Sequence, residues 1–178
     1  WKTISNEEFN KLEHKSYFGL DFGWSESPMA LCEVKVHNGK SYARQLIYER
    51  NLQLLELAVK LVQLGITSSD LIVADSAEPL TINKLRNGWS RDELPSNYAD
   101  LYPQLLQGFY ILPAHKGPGS IQSGIDRVKQ YECYLTDDSS DWWNEYVNYT
   151  WARDKNGNAT DTPMDDFNHL FDAHRYVI

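Results

Sequence analysis

Residues 17–36 read YFGLDFGWSESPMALCEVKV, two apolar runs with one acid, Asp21, inside the first. Leu20 and Phe22 flank that acid in a pattern that predicts a buried strand. A carboxylate in such a strand costs several kcal/mol unless it is paired or bound to a metal. Either Asp21 faces solvent or it has partners elsewhere in the chain, and Phe22 and Trp24 beside it favour partners.

Ser5-Asn-Glu-Glu8 has the form of a capping box and predicts a helix to about Glu13. Three strands are predicted at 17–24, 29–37 and 40–50, the last two joined by Asn38-Gly39, a two-residue hairpin turn. Asn51 then caps a helix, LQLLELAVKLVQLG, which Gly65 ends. A fourth strand, LIVAD, finishes at Asp75 and has the all-apolar form of a central parallel strand. Pro79 opens a helix that Gly88 closes, and residues 89–108 form an irregular insertion or short helix. FYILP is the fifth strand, SIQSGIDRVKQYECYL a helix capped by Ser120, and Tyr146–Trp151 the first strand of a hairpin turning at Asn156-Gly157. TPMDDFNHLFDAHRYVI is a final helix with acids in its first turn. The expected architecture is α/β: a mixed five-stranded sheet with helices on both faces and an added β-hairpin.

At 178 residues and 42% hydrophobic, the chain suits one domain spanning 1–178. Its start at Trp1 rather than Met is read as a cut from a longer protein. No run approaches the roughly 18 apolar residues of a membrane span, so no membrane partner is expected. Cys32 and Cys133 lie far apart and read as reduced, buried residues. A net charge of −8 argues against a broad basic nucleic-acid surface. It leaves room for a local acidic metal cluster with a basic rim.

Three acids stand in places that need explaining. Asp21 is inside a strand, Asp75 ends one where open α/β sheets present ligands, and Asp172 lies among Leu170, Phe171 and Ala173 on the last helix. Together they suggest a site for two Mg²⁺ or Mn²⁺ ions, hard cations that prefer carboxylate oxygens, and hence two-metal phosphodiester hydrolysis. His169, three residues before Asp172, shares its helix face and is read as a metal ligand, a water-orienting group or a proton donor. Each residue also has a plainer reading: Asp75 as a helix cap, Asp172 as a partner of Arg175, His169 as a histidine bonded to a backbone carbonyl.

GLDFGWSESPMAL, IVADSAEPLTINKLRNGW, AHKGPGSIQSGIDRVKQY and PMDDFNHLFDAHRY together resemble the C-terminal nuclease domain of tailed-phage large terminase subunits, from about Tyr17 to Tyr176. The resemblance implies an RNase H-like fold and cutting of concatemeric double-stranded viral DNA during genome packaging. It places Asp21, Asp75 and Asp172 at the three metal-binding aspartates, and His169 at the histidine that accompanies the third. Lys116 takes the position of a lysine near the cleaved backbone. Glu78 is read as a first-turn helix acid, with a water-bridged metal contact as the alternative. Implied partners are the ATPase domain of the same full-length protein, the small terminase subunit and the capsid portal. The implied setting is the host cytoplasm, on the procapsid, during virion assembly.

No G-x-x-x-x-G-K-[ST] loop is present, so no ATPase motor lies within the chain. Arg86, Arg91, Lys116, Arg127, Lys129, Arg153 and Lys155 are the candidate basic rim for DNA. Trp142, Trp143 and Trp151 are assigned to packing rather than base stacking, because the expected substrate is duplex. The rival readings are a Holliday-junction resolvase, a transposase-like nuclease, a non-cleaving DNA-binding module and a structural domain.

Overall fold

The computed structural model describes residues 1–23, 26–164 and 166–178. Trp24, at the predicted end of the first strand, and the acid Asp165 lie outside these residues, as does the side chain of Asp161. The three predicted early strands form an antiparallel meander of β2 (Ser16–Asp21), β3 (Met29–His37) and β4 (Lys40–Glu49), preceded by β1 (Lys2–Ile4) and α1 (Asn6–Asn10). The β3–β4 turn has φ of 47° at Asn38 and 73° at Gly39, the two positive values that a tight hairpin of this kind requires. α2 (Leu54–Gln63) leads to β5 (Ile72–Ala74), and α3 (Pro79–Asn87) and α4 (Tyr102–Gln107) lead to β6 (Ile111–Pro113). α5 (Ser120–Val128), β7 (Glu132–Thr136) and α6 (Ser140–Asn148) follow, then β8 (Trp151–Arg153), β9 (Ala159–Pro163) and α7 (His169–Val177).

One sheet has the order β1-β7-β4-β3-β2-β5-β6, and β8 and β9 pair separately as a hairpin. β4/β3 and β3/β2 are antiparallel; the other neighbours in the large sheet are parallel. Side chains alternate across the strands, so each face has its own core. On one face Phe18, Leu20, Met29 and Leu31 pack with Leu57, Leu61, Ile82, Leu85 and Leu105 from α2, α3 and α4. On the other, Ala30, Cys32 and Val34 pack with Trp142 of α6 and Leu170 and Ala173 of α7.

The same alternation explains the acid in the strand. Leu20 and Phe22 point into the first core, whereas Gly19 and Asp21 belong to the α7 face. Gly19 sits so close to α7 that a Cβ there would lie 1.9 Å from the Ala173 carbonyl oxygen. Glycine at this position lets the helix backbone rest directly on the strand, bringing His169 and Asp172 of α7 down towards Asp21.

The mixed α/β architecture with a hairpin stands as expected, but the sheet has seven strands rather than five. β1 is only three residues long and lacks alternation. β7 lies inside the stretch whose Val128, Tyr131 and Leu135 mimic helical spacing; α5 instead ends at Val128, with Gly119 rather than Ser120 at its N-cap. Tyr146–Trp151 is not a strand. Its first residues finish α6, where burial of Trp142 overrides the β preference of an aromatic-rich run. α1 stops at Asn10, and α2 is capped by a Gln53–Glu56 box, Asn51 taking a left-handed φ of 59°. α7 starts only at His169, because β9 takes up the chain through Pro163, so Asp172 is the acid of its first turn. Residues 89–108 are two short 3₁₀ turns and α4. Cys32 and Cys133 are free and buried.

Replacing Gly19 by Ala should destabilise the protein by about 3 kcal/mol, the upper part of the overpacking range, because the contact partner is backbone. Chemical denaturation checks this. A Gly19→Ala midpoint equal to wild type would contradict the strand–helix contact.

Candidate metal centre at the strand–helix contact

β2 delivers Asp21, the end of β5 delivers Asp75, and α7 delivers His169, Asp172, Arg175 and Tyr176. Asp21 is 7% exposed. Its Oδ2 lies 3.0 Å from Nδ1 of His169, and its Oδ1 accepts from the Tyr176 hydroxyl at 2.9 Å. Asp75 Oδ1 accepts from Lys116 Nζ at 2.6 Å and from the Ala77 N–H at 2.8 Å. It stands three residues before the N-cap of α3, which is Glu78, so Asp75 is not the helix cap. Glu78, read as a first-turn acid, sits one position earlier, and the Thr81 hydroxyl donates to it at 3.4 Å. Asp172 is ion-paired with Arg175, its i+3 neighbour, as its plainer reading expects.

Tyr176 donates to Asp21, lies four residues after Asp172 on α7, and has over its ring the Lys116 that holds Asp75. Burial pushes its hydroxyl pKa far up, and Asp21, Asp172 and Asp75 add to the shift in that order. Lys116 Nζ stands 5.0 Å from the Tyr176 ring centroid. Burial raises the Asp172 carboxyl to about 6; Arg175 opposes the shift and Asp21 reinforces it. For His169, burial works against the imidazolium, yet the pKa is raised because the Asp21 hydrogen bond and charge, with Glu145 and Asp172, outweigh it.

The donor set suits a hard divalent cation: three carboxylates and one imidazole, with Asp21 helping to raise the Asp172 pKa. As they stand, the acids are held by Lys116, Arg175, His169 and Tyr176. Among the described residues no three His, Cys, Asp or Glu side chains converge tightly enough to cage an ion unaided.

Beside Asp172 opens a cleft of about 250 Å³, lined by Lys116, Ser120, Ser123, Arg127, Arg175 and Tyr176 among others. Of the predicted basic rim, this cleft gathers Lys116 and Arg127. The other members have different engagements. Arg86 donates to the Ile111 carbonyl, Arg91 lies over the Tyr102 ring, and Arg153 donates to the Gly157 carbonyl at the hairpin turn. Lys129 borders a separate apolar pocket with Trp151, and Lys155 is exposed near the hairpin turn. Trp142 is fully buried and the Trp143 indole donates to the Thr136 carbonyl at 2.9 Å, so both pack rather than stack on bases.

Sequence reasoning does not single out Tyr176 or Glu145. Tyr176 follows Asp172 by four residues and His169 by seven, a same-face spacing that would have found it. Glu145 sits in the aromatic-rich run whose pattern suggests the approach to a strand.

The fold is that of an RNase H-like domain. The chain belongs to the family described as terminase RNase H-like domain, whose model matches residues 21–178. It is similar to the nuclease domain of the large terminase g2p from bacteriophage SPP1, solved with bound Mn. Identity is 24%, coverage 97% of this chain and 89% of that one, and the TM-score 0.73. It is also similar to the large terminase of a thermophilic bacteriophage, at 16% identity, covering 99% of this chain but 42% of that one, with a TM-score of 0.67. The P22 large terminase nuclease domain matches at 16% identity over 98% of this chain and 84% of its own, TM-score 0.62. No curated protein matches the chain. Fold and family together support a nuclease of phage DNA packaging.

A pH test follows from Asp172. Its folded pKa of about 6 lies above the unfolded value near 3.9, so the folded state holds the proton more tightly. The stability this contributes is full below about pH 4 and is lost as pH rises through about 6. Glu145, raised by burial to about 7, acts in the same sense; His174, lowered by burial to about 3, acts in the opposite one. Comparison with Asp172→Asn isolates the first group. Without metal, wild type should lose about 2 kcal/mol relative to the variant between roughly pH 4 and 7. Parallel profiles in urea titrations would contradict a buried, crowded carboxylate.

Proposed function

We propose that this domain is a divalent-metal-dependent endonuclease that cuts concatemeric double-stranded viral DNA during genome packaging. The observation that carries the proposal is the linkage of the acids through Tyr176 and Lys116: Asp21 is bonded to Tyr176 and His169 of the helix that carries Asp172, and Lys116 bonds Asp75 and lies over the Tyr176 ring. Asp21, Asp75 and Asp172, with His169, would hold two Mg²⁺ or Mn²⁺ ions. When bound, such ions activate a water and stabilise the departing oxyanion. Mn in the SPP1 g2p nuclease domain supports the choice of cation.

The chain's own residues would do the rest. With Nδ1 turned to Asp21, His169 keeps Nε2 as the nitrogen for a ligand bond or a proton. Lys116, Arg127 and Arg175 put positive charge along the cleft beside Asp172, where a phosphodiester would be drawn and oriented. With a net charge of −8, the domain gives long-range repulsion to DNA. The substrate would therefore be held by the ATPase domain of the same protein, the small terminase subunit and the capsid portal, on the procapsid in the host cytoplasm. Arg153, at the β8–β9 hairpin, would reach the duplex from a second side.

Plasmid nicking and linearisation by wild type and Asp75→Asn, each with Mg²⁺, Mn²⁺ or EDTA, tests the reading. Metal-dependent cutting should fall on the order of a hundredfold or more in the variant, a loss of several kcal/mol of charge stabilisation. If neither protein cuts and Mn²⁺ leaves both melting temperatures unchanged, the site is not a metal centre and a non-cleaving module takes its place. Cutting confined to four-way junctions would favour a resolvase.

A further inference from the structure

The first N–H groups of a helix have no partners within it and must find them elsewhere. α7 has no side-chain cap of its own: Asn168 stands at its N-cap without bonding the first turn, and its Oδ1 is buried and unbonded. Glu145, on α6, supplies what Asn168 does not. Its Oε1 accepts from the His169 N–H at 3.0 Å, and its Oε2 accepts from Leu170 and Phe171 at 2.9 and 3.4 Å. The next amide, Asp172, returns to the Asn168 carbonyl at 2.6 Å, so the free donors of the first turn all end on one carboxylate.

That carboxylate is fully buried. α6 is in turn tied to the sheet. The Gln45 side chain of β4 accepts from the Asp141 and Trp142 amides at 3.1 Å each and donates to the Asp141 carboxylate at 2.6 Å. Rigid sheet, α6 and the first turn of α7 thus form one hydrogen-bonded chain, and its last link is the backbone of His169.

We infer that Glu145 is a positioning residue for the nuclease site: by capping α7 from α6 it fixes where His169 and Asp172 stand relative to Asp21. The inference rests on the nuclease reading for its effect on cutting. Glu145 is not itself a member of the donor set, because its oxygens are occupied by the α7 amides. A carboxylate also suits the position electrostatically, since the N-terminus of a helix carries partial positive charge. Glutamine keeps the shape but turns an NH₂ toward one of those N–H groups, which loosens the first turn without emptying the space.

The test compares wild type and Glu145→Gln by amide hydrogen exchange, by the ¹⁵N signal of the His169 ring and by nicking kinetics. In wild type the amides of 169–171 should be protected, which first-turn amides are not without an outside acceptor. In the variant they should exchange more than about tenfold faster, while amides of β2 and β3 keep their protection. The His169 Nδ1 signal should lose its Asp21-bonded position. kcat should fall roughly 10–100-fold, the usual range for a group that orients ligands, with KM within about twofold. Unchanged exchange at 169–171, or an unchanged His169 signal, would overturn the proposal. So would a fall in kcat matched by an equal loss of protection in β2 and β3, which is what mere structural damage gives. If wild type neither cuts nor responds to Mn²⁺, the nuclease reading fails, and the exchange and ring signals still decide the role of Glu145.

Discussion

α7 rests on Gly19 with no side chain between them, and the rest of the site depends on that approach. With a larger side chain at this position α7 would stand further off the strand, and His169 and Tyr176 would no longer meet the Asp21 carboxylate at 3.0 and 2.9 Å. Here the Ala173 carbonyl takes the place a Cβ would fill, and Asp21, two residues further along the same strand face, meets His169 and Tyr176. β5 lies beside β2 in parallel, and the Asp75 amide donates to the Leu20 carbonyl at 3.0 Å, so the second acid is carried to the same end of the sheet. The position of three acids therefore follows from one strand pairing and one glycine.

Gathering acids in a buried place is costly, and the protein offsets this with its own cations and hydrogen-bonding groups. Lys116 holds Asp75, Arg175 holds Asp172, and His169 and Tyr176 hold Asp21. Under the function proposed, Lys116 and Arg175 would exchange a carboxylate partner for a phosphate when metal and DNA arrive. Lys116 and Arg175 both line the cleft where that phosphate would enter. One set of side chains would then serve both states, which suits a chain whose net charge gives DNA no other reason to approach.

Much of this was legible in the sequence. Asp21 and Asp172 betray themselves as acids among apolar residues, and Asp75 by ending a short all-apolar run, because burial makes an unexplained carboxylate costly. The Asn38-Gly39 turn, the α2 periodicity and Pro79 mark elements by local rules that tertiary contacts did not overturn. β7 and α6 were not legible. The residues of β7 satisfy helical spacing by coincidence, and α6 has strand-like aromatics that form a helix because Gln45 caps it and Trp142 fills the core. Glu145 was hidden for the same reason: its meaning depends on a neighbour, α7, twenty-four residues away in sequence. The acids are noticed from their local sequence and gain meaning together, whereas a cap supplied by another helix appears only once both helices are placed.

The central claim is that Asp21, Asp75 and Asp172 form one metal centre. The most direct measurement is diffraction at the Mn absorption edge from crystals of this domain soaked in Mn²⁺. An anomalous peak bounded by those three carboxylates, with Lys116 moved off Asp75, is the expected result. A map with no peak there, and with the Lys116–Asp75 and Arg175–Asp172 pairs intact, would contradict it.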